Sequence, residues 1–533
     1  MEEIIEHIIN SLYIDQCSDK EVSKIYKIHK YWARKPWYIV EKYIEDYSSI
    51  GELVMDPFCG SGLAGYEAVI NGRRFIGQDL NPTALRVSEG TLDSSFDFDS
   101  FQKDFDRIAT TCADEIMSFY ESDFICPKCG KFMFYKYCSI GPKFDGNQSG
   151  NLYCACGNRV AHHPMSNSDI IKAAEFSNKE IPVWYPTTEF PKKFYKDRFS
   201  YKGILTVADM FTKRNLYALA LIYDRINHID PKNIPFFKLA FTNTLLHVSK
   251  LKGENVRPLS VNNYWIPDDY IEENVWFRFV DRVNLLINSK RFAQKRENEK
   301  LKTGVSLGEW SIKKKSALES MGNECVDYFF TDPPYGDAIQ YSELSFVWNA
   351  WMDDSYETKE EVIINPVQKK GTQEFNNLLC QSLDNIYAAL KKDRYLTLCF
   401  QNKNSKIWKA IISHCKHLGF KLYDISIYNT YGHPFNKSWA RFSPKSDIYV
   451  TLKKSDSSPL EYYSCQESVT EIVTEINRYI VEHEISVDNN KLYDLTISYL
   501  IWAMFLNEQE IDVSDFDIKK FIQLVQKMPI YHN

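Results

Sequence analysis

The sequence lacks the features that mark exported, membrane-spanning and repetitive proteins. No apolar run approaches the roughly 20 residues needed to cross a bilayer. The first ten residues carry three glutamates where a secretory signal would carry positive charge. Neither an internal repeat nor a low-complexity segment is present. These absences predict a soluble, cytoplasmic protein that does not act at a membrane.

An excess of positive charge is also missing. The net charge of -7 argues mildly against a nucleic-acid-binding protein, because such proteins commonly present a basic surface to phosphates. From Ser455 onward, however, 14 acidic residues face five basic ones, so this tail contributes -9 and the rest of the chain totals +2. The acidic tail favours docking to a protein partner or to the remaining chain. A basic run from Lys290 to Lys315 is open to two interpretations, a solvated helix face or a phosphate contact.

The chain of 533 residues is longer than one hydrophobic core usually serves. A strand at 53–58, a glycine turn at 60–62, a helix at 63–70 and a strand at 73–79 predict the opening of a doubly wound α/β sheet. The pattern resumes after residue 300 with a strand at 310–314, a short helix at 317–321 and further strands that bring the total to about seven. We therefore divide the chain into a first half of the sheet domain (1–100), an insertion (101–300), a second half (301–454) and a small, acidic helical domain (455–533).

The turn after the first strand predicts a ligand site. Its sequence is DPFCGSG, in which glycines allow the backbone to approach a bound molecule. Asp79 follows Phe58 by 21 residues and ends the next strand, where an acidic side chain can accept hydrogen bonds from ribose hydroxyls. The third glycine of a dinucleotide fingerprint and the lysine of a phosphate-binding loop are both missing. These absences weaken a nicotinamide or nucleoside-triphosphate interpretation.

A second loop, TDPPYG at 331–336, follows the very apolar strand at 326–330. The exocyclic amine of a nucleobase is a poor nucleophile, because its lone pair is delocalised into the ring. A catalyst must therefore accept hydrogen bonds from the amine. Asp332 and the Pro333 carbonyl can do this, and Tyr335 offers a ring on which an extruded base can stack. A structural Pro-Pro turn is the alternative.

Together these segments resemble a known enzyme family. DPFCGSG with FIGQDLNP resembles motif I of amino-methyltransferases that use S-adenosylmethionine, and TDPPYG resembles motif IV of the N6-adenine enzymes, where N4-cytosine enzymes more often carry serine. HKYWARKPW at 29–37 and Ser316-Ala317-Leu318 resemble two further cofactor motifs. With GDAIQYSELS, the set is similar to adenine-specific DNA methyltransferases that contain an inserted zinc ribbon. One departure is that the insertion precedes the third motif.

This resemblance implies a Rossmann-like methyltransferase sheet, S-adenosylmethionine as cofactor, DNA as partner and adenine N6 as target. It implies cofactor contacts by Lys35, Asp56, Phe58, Gly60, Gly62, Asp79 and Ser316. The catalytic residues it implies are Asp332, Pro333, Pro334 and Tyr335. Two alternatives are a transfer-RNA guanine-N2 methyltransferase, which shares a D-P-P-Y-G loop, and a non-catalytic DNA-binding subunit of a defence complex. A role in restriction-modification or in regulation is open.

Five of the 13 cysteines lie between residues 126 and 156. Cys126 and Cys129 are separated by two residues and followed by glycine, as in a zinc knuckle. The second pair, Cys154 and Cys156, has only one intervening residue, which leaves the absence of a metal as the alternative. We predict a closed structural Zn²⁺ site formed by these four thiols, which would hold the insertion folded. The spare candidate ligands are Cys138, His162 and His163.

Overall fold

The computed structural model describes residues 5–8, 20–144, 148–195, 203–254, 258, 264, 266–429, 446–455, 469–485 and 489–506. They form two sheets, one of seven strands and one of five, with helices packed around both. Within the described part of the chain, every helix is too short or too polar to cross a lipid bilayer.

The seven-stranded sheet is mostly parallel and confirms the predicted α/β class. From one edge of the sheet to the other, the strands are Phe420–Asn429 (β11), Ser446–Lys454 (β12), Leu390–Phe400 (β10), Val326–Thr331 (β9), Leu53–Asp56 (β1), Arg74–Asp79 (β2) and Trp310–Lys314 (β8). Only β12 runs antiparallel to its neighbours. The chain moves outward from β1 to β2 and β8, then returns to add β9 and β10 on the other side of β1. This reversal makes the carboxyl ends of β1 and β9 a topological switch point, where such sheets bind ligands.

Helices cover both faces of this sheet. Every residue of β9 is buried, as expected for a central parallel strand packed on two sides. One face is covered by the helices Trp37–Tyr47 (α2) and Leu63–Ile70 (α3). The other is covered by Thr372–Ala389 (α12), Ser405–Leu418 (α13), Val469–Glu482 (α14) and Asn489–Leu506 (α15). The short helix Val22–Ile25 (α1) packs into the same core as α2 and α3, whereas Tyr341–Leu344 (α10) and Phe346–Trp351 (α11) pack into the core of the insertion.

Sequence explains where the helices near the site begin. α2 follows Pro36, whose extended backbone leads into the first turn, and it buries Ile39, Val40, Tyr43 and Ile44 along one face. The next helix after β2, Pro82–Leu92 (α4), starts with proline at its first position. It is capped by the Asn81 side chain, which accepts a hydrogen bond from the Thr83 backbone N–H.

The connection between β2 and β8 contains the whole insertion. After α4 come the helix Phe98–Ser118 (α5) and an antiparallel sheet of five strands, in which the last strand returns to pair with β4. These strands are Glu121–Ile125 (β3), Phe132–Ile140 (β4), Ser149–Tyr153 (β5), Arg159–Pro164 (β6) and Tyr270–Glu273 (β7). Its helices are Asn167–Glu175 (α6), Lys213–Ile226 (α7), Ile234–Leu245 (α8) and Val275–Lys302 (α9). We call β3 to β7 the inserted sheet.

Two cations of the basic run that begins in α9 are buried, although others in it, such as Arg291 and Lys302, are exposed. Lys290 is buried and donates to the Asp93 carbonyl at 2.6 Å. Arg296 is buried as well and donates to both carboxylate oxygens of Glu67, each at 2.8 Å. Glu41 accepts a further bond from Arg296. These cations therefore attach α9 to the sheet domain and are neither solvated nor free for phosphate.

The two carboxyl-terminal helices, α14 and α15, pack on the sheet with α12 and α13 in one continuous core. Their apolar residues, including Ile472, Val473 and Ile476, are buried there. The acidic residues after 506 lie outside the described residues, so the predicted partner surface stays a prediction.

The helix predicted at 317–321 is wrong, because these residues form a turn. The Ser316 hydroxyl accepts a hydrogen bond from the Leu318 N–H, and the Ser316 N–H donates to the Glu319 carboxylate. Such local bonds compete with a helix, and a segment of five residues is too short to nucleate one by itself.

Candidate active site

The two predicted loops lie side by side at the switch point of the sheet. DPFCGSG leaves β1 and TDPPYG leaves β9, and these strands are parallel neighbours. The Thr331 hydroxyl donates a hydrogen bond of 2.9 Å to Asp56 Oδ1, so the two loops touch directly. Residues separated by 275 positions in sequence are thereby joined at one sheet edge.

The first loop wraps around the end of β2. The Gly60 N–H donates to Asp79 Oδ2 at 3.0 Å, and the Asn81 N–H donates to Asp79 Oδ1 at 2.9 Å. Gly60 has a φ of +51°, and a Cβ there would lie 3.1 Å from a ring carbon of Tyr31. The amino-terminal segment 29–37 thus packs against this glycine through Tyr31.

Gly62 has a different function in the loop. Its φ is +75°, and a Cβ would lie 2.8 Å from the Ser88 Cα of α4. This glycine permits the loop to pack against α4, and it does not line the cleft.

The second loop presents its aspartate to the cleft and packs its tyrosine inside the protein. The Tyr335 ring meets Phe400 edge-on at 5.2 Å, and its carbonyl accepts a bond from Asn402. The Tyr335 hydroxyl accepts a hydrogen bond of 2.6 Å from Lys35. The Lys35 ammonium lies 4.7 Å from the centre of the same ring. The ammonium therefore lies at the hydroxyl end of the ring that was predicted to stack on a base.

Both loops open into one cleft. Its walls come from the segment 31–35, the two loops, the end of β2 and the segment after α11. Five carboxylates face it, and Tyr31 stacks on Tyr341 above them with ring centres 5.9 Å apart. The five are Asp56, Asp79, Asp332, Glu360 and Glu361. An acidic, aromatic cleft is suited to a ligand that carries positive charge and hydroxyl groups.

Burial perturbs the carboxylates of the cleft. Burial raises the pKa of Asp56 to about 7, although the Phe58 N–H and the Thr331 hydroxyl oppose this. Burial likewise raises the pKa of Asp79 to about 6, against the N–H donors of Asn81 and Gly60. The pKa of Asp332 rises to about 6 through burial, against the charge of Lys35. Carboxyl groups whose pKa lies this close to 7 are typical of functional clefts.

The predicted site residues divide into two sets. Those that line the cleft are Lys35, Asp56, Phe58, Gly60, Asp79, Asp332 and Pro334. Gly62, Ser316, Pro333 and Tyr335 adjoin the cleft without lining it. Ser316 is only 1% exposed, and its neighbour Ala317 contributes to the wall instead.

Several residues of the site had no place in the prediction. Tyr341 and Glu361 line the cleft, and Asp447 contacts the Lys35 ammonium at 3.2 Å. Tyr341 falls inside the GDAIQYSELS segment that supported the resemblance, so a local signal existed for it. Asp447 is the second residue of β12, and nothing near it in sequence indicates that it reaches the site.

The four predicted metal ligands converge at the end of the inserted sheet. The sulfurs of Cys126, Cys129, Cys154 and Cys156 all lie within 4.8 Å of one another. Cys126 is 3.6 Å from Cys156 and Cys129 is 3.4 Å from Cys154, measured between sulfurs. A tetrahedral zinc site with Zn–S bonds of about 2.3 Å has sulfurs about 3.8 Å apart. The donor set therefore fits Zn²⁺ despite the short spacing of the second pair.

The spare candidates lie elsewhere. Cys138 is buried near Arg214 and Glu272, and the His163 ring packs on Phe124 at 4.3 Å. The metal prediction thus narrows to the four cysteines.

Comparison with known proteins finds a match to the part of the chain that contains the first loop. A family model described as DNA methylase, for N6 and N4 enzymes, matches residues 6–90. This segment is therefore similar to N6/N4 DNA methylases. It contains α2, β1, the glycine loop and Asp79, and it ends inside α4, so the match covers the predicted cofactor half of the site and stops before TDPPYG.

Two curated methyltransferases are each similar to a short segment of this chain. Type II methyltransferase M2.DpnII of Streptococcus pneumoniae is 37% identical over 65 residues, which cover 12% of this chain and 24% of the relative. Type II methyltransferase M.HpaI of Haemophilus parainfluenzae is 32% identical over 86 residues, or 16% of this chain and 27% of the relative. The matched segment spans about a quarter of the length of these relatives. A solved structure titled "Crystal Structure of PH0851" aligns at 16% identity over 33% of this chain and 40% of that one, with a TM-score of 0.16, which is too low to inform on the fold.

Proposed function

We propose that this methylase transfers the methyl group of S-adenosylmethionine to the exocyclic amine of a DNA base, adenine N6 in particular. The observation that carries the proposal is the hydrogen bond between Thr331 and Asp56, because it unites the methylase glycine loop with the TDPPYG loop in one cleft. The match of residues 6–90 to the DNA methylase family model supports DNA as the substrate. An aspartate at 332, where N4-cytosine enzymes more often carry serine, favours adenine.

The cleft offers suitable groups for the cofactor. Asp79 ends β2 with its carboxylate held by two backbone N–H groups, in the position from which such a residue binds ribose hydroxyls. The stacked rings of Tyr31 and Tyr341 and the buried carboxylates provide an acidic, aromatic surface for a sulfonium cation. When bound, S-adenosylmethionine supplies an electrophilic methyl group.

This chain's own residues handle the amine. Asp332 faces the cleft and can accept a hydrogen bond from the target amine, which raises the electron density on nitrogen. The carboxylate must be ionised to do so, and the Lys35 charge beside it favours that state. A base reaches this depth only after extrusion from the duplex, which costs a few kcal/mol.

The inserted sheet presents a surface suited to DNA phosphates. Its tip, residues 125–132 and 153–160, contains Lys128, Lys131 and Arg159 and no acidic residue. All three cations are exposed. Two apolar side chains, Ile125 and Phe132, are paired in register beside them and are about half exposed. This surface is the proposed DNA contact of the insertion, with Zn²⁺ on the four cysteines holding its loops.

The decisive experiment identifies the product. Full-length protein is incubated with S-adenosylmethionine labelled in the methyl group and with duplex DNA, and the nucleosides are separated after digestion. We expect label in N6-methyladenine and a loss on the order of 10²- to 10³-fold for Asp332→Ala, the scale found when one preorganised hydrogen-bonding group is removed from an active site.

Asp281→Ala removes a carboxylate of α9 that is 49% exposed and serves as the matched control. Label in N4-methylcytosine would correct the target base, and label only in transfer RNA would favour the guanine-N2 alternative. An Asp332→Ala protein with the wild-type rate would overturn the assignment of this loop.

A further inference from the structure

The ammonium of Lys35 lies between two carboxylates. Its Nζ is 3.3 Å from Asp332 Oδ1 and 3.2 Å from Asp447 Oδ2, and the Lys35 and Asp447 side chains are 7% and 6% exposed. The three residues come from separate parts of the chain: the segment before α2, the loop after β9 and the start of β12. The ammonium thus joins the catalytic loop to a strand that none of the sequence motifs includes.

The charges of this cluster depend on one another. Two carboxylates that share a buried site cannot both remain ionised without a cation, because each raises the pKa of the other. Burial raises the pKa of Asp332, Lys35 lowers it and Asp447 raises it further. The pKa of Lys35 stands well above its ordinary value, because the two carboxylates outweigh the effect of burial. Lys35 is therefore charged at neutral pH.

The other groups facing Asp332 do not replace this cation. They are Asp56, Tyr31, Tyr335, Tyr341, Cys399 and Tyr449. Burial raises the pKa of each of these tyrosines and of the Cys399 thiol, so they are neutral near pH 7. Asp56 adds to the negative charge. Among the described residues, Lys35 is the cation within ion-pair distance of Asp332.

We infer that Lys35 is a positioning residue for methyl transfer, the counter-ion that keeps Asp332 ionised beside Asp447. The expected effect of Lys35 on methyl transfer rests on the proposed function, whereas the charge arrangement of Lys35, Asp332 and Asp447 does not. The inference differs from the cofactor contact that the family resemblance implied, because a cofactor contact needs neither Asp332 nor Asp447.

A suppressor experiment tests the inference in the full-length protein. In Lys35→Met, two carboxylates face each other without a cation, so one of them takes up a proton. We expect the acidic limb of the pH profile of kcat/KM for DNA to move upward by about one unit or more, and methylation near the wild-type limb to fall about tenfold. Adding Asp447→Asn removes the second charge, so the double variant should regain part of the lost activity.

Asp447→Asn alone should move the limb to lower pH, because Asp332 loses its like-charged neighbour. Lys35→Arg keeps the charge and should keep the limb near its wild-type position. If Lys35→Met only raises KM for S-adenosylmethionine, with the limb unchanged and no rescue by Asp447→Asn, Lys35 is a cofactor contact and the inference is wrong.

Thermal unfolding without cofactor or DNA gives a second readout that needs no activity. The Tm loss of Lys35→Met should grow from pH 5 to pH 8, as the unpaired carboxylates ionise, and Asp447→Asn should reduce it. Lys42→Met, which removes an exposed lysine paired with Asp46, should show no such trend. A wild-type protein that methylates no DNA would end the proposed function alone. A Tm loss that is independent of pH, or that Asp447→Asn deepens, would end this inference alone.

Discussion

The two glycines of the first loop should respond differently to alanine, and Gly62→Ala gives the sharper prediction. Gly62 has a φ of +75°, and the added Cβ would lie 2.8 Å from the Ser88 Cα, 3.0 Å from its Cβ and 3.1 Å from a Leu92 methyl carbon. The first of these atoms is backbone in α4 and cannot move aside without shifting the helix. Both the backbone conformation and the lack of space therefore oppose the substitution.

The two costs can be separated with a control from the same chain. Gly304 has a φ of +87° and nothing within 4 Å of an added Cβ, so Gly304→Ala carries the conformational cost alone. That cost is about 1–2 kcal/mol. Overpacking against α4 adds about 1–3 kcal/mol to Gly62→Ala. The expected difference between the variants corresponds to roughly 2–12 °C in Tm, given about 2–4 °C per kcal/mol for a sheet domain of this size.

The measurement is thermal unfolding of the two full-length variants followed by circular dichroism. Gly60→Ala completes the series, because its Cβ would meet only the edge of the Tyr31 ring at 3.1 Å, and a ring can shift. We expect Gly60→Ala to unfold near Gly304→Ala but to bind S-adenosylmethionine more weakly. Gly62→Ala unfolding together with Gly304→Ala would refute the close packing of the loop on α4.

The remaining predictions concern charge and metal. Because burial raises the pKa of Asp56 to about 7 and of Asp79 and Asp332 to about 6, the folded protein binds more protons than the unfolded chain above about pH 4. The contribution of these groups to stability should fall as pH rises to about 7, whereas methylation should rise over the same window, because it needs the carboxylates charged. A pH series in which stability and methylation rise together would contradict this. Bound zinc, measured by atomic emission, should approach one ion per chain in the wild-type protein and fall in Cys129→Ser, whose insertion should also be cleaved faster by proteases. Equal zinc content in the two proteins would contradict the site. Lys128→Ala with Lys131→Ala should weaken DNA binding and reduce the slope of log K against log salt by about 2; an unchanged slope would place the DNA elsewhere.

Local sequence patterns predicted the parts of the site that one strand and its following turn determine. The apolar segments ending at Asp56 and Thr331 each lead into a loop rich in glycine or proline, and short apolar runs bounded by such residues predict buried strands well. Parallel strands then bring their carboxyl ends to one edge, so the meeting of the loops follows from topology. The bounds of α3 and β8 were predictable for the same reason, since periodicity and turn residues agree there.

Other features depend on contacts that no local pattern encodes. Asp447 reaches Lys35 only because β12 inserts antiparallel between β10 and β11, and this places its first residues next to the carboxyl end of β10, at the same sheet edge as the end of β9. The hydroxyl of Ser316 is used within its own turn, so a motif match could not show that Ala317 forms the wall. The short spacing of Cys154 and Cys156 looked unfavourable, yet hairpin geometry brings both sulfurs to the other pair.

The basic residues of α9 bear on where DNA can contact this protein. Lys290 and Arg296 are buried against partners in the sheet domain, and the Glu67 partner of Arg296 is 229 residues away in sequence. Burying a guanidinium is costly unless it is paired, so replacing Glu67, which would leave Glu41 as the remaining carboxylate partner of Arg296, should lower stability. Lys290 and Arg296 are therefore committed to attaching the insertion to the sheet, whereas Arg291 and Lys302 on the same helix are exposed. Of the two basic surfaces that this leaves open to phosphates, the tip of the inserted sheet is the one with three exposed cations and no acidic residue.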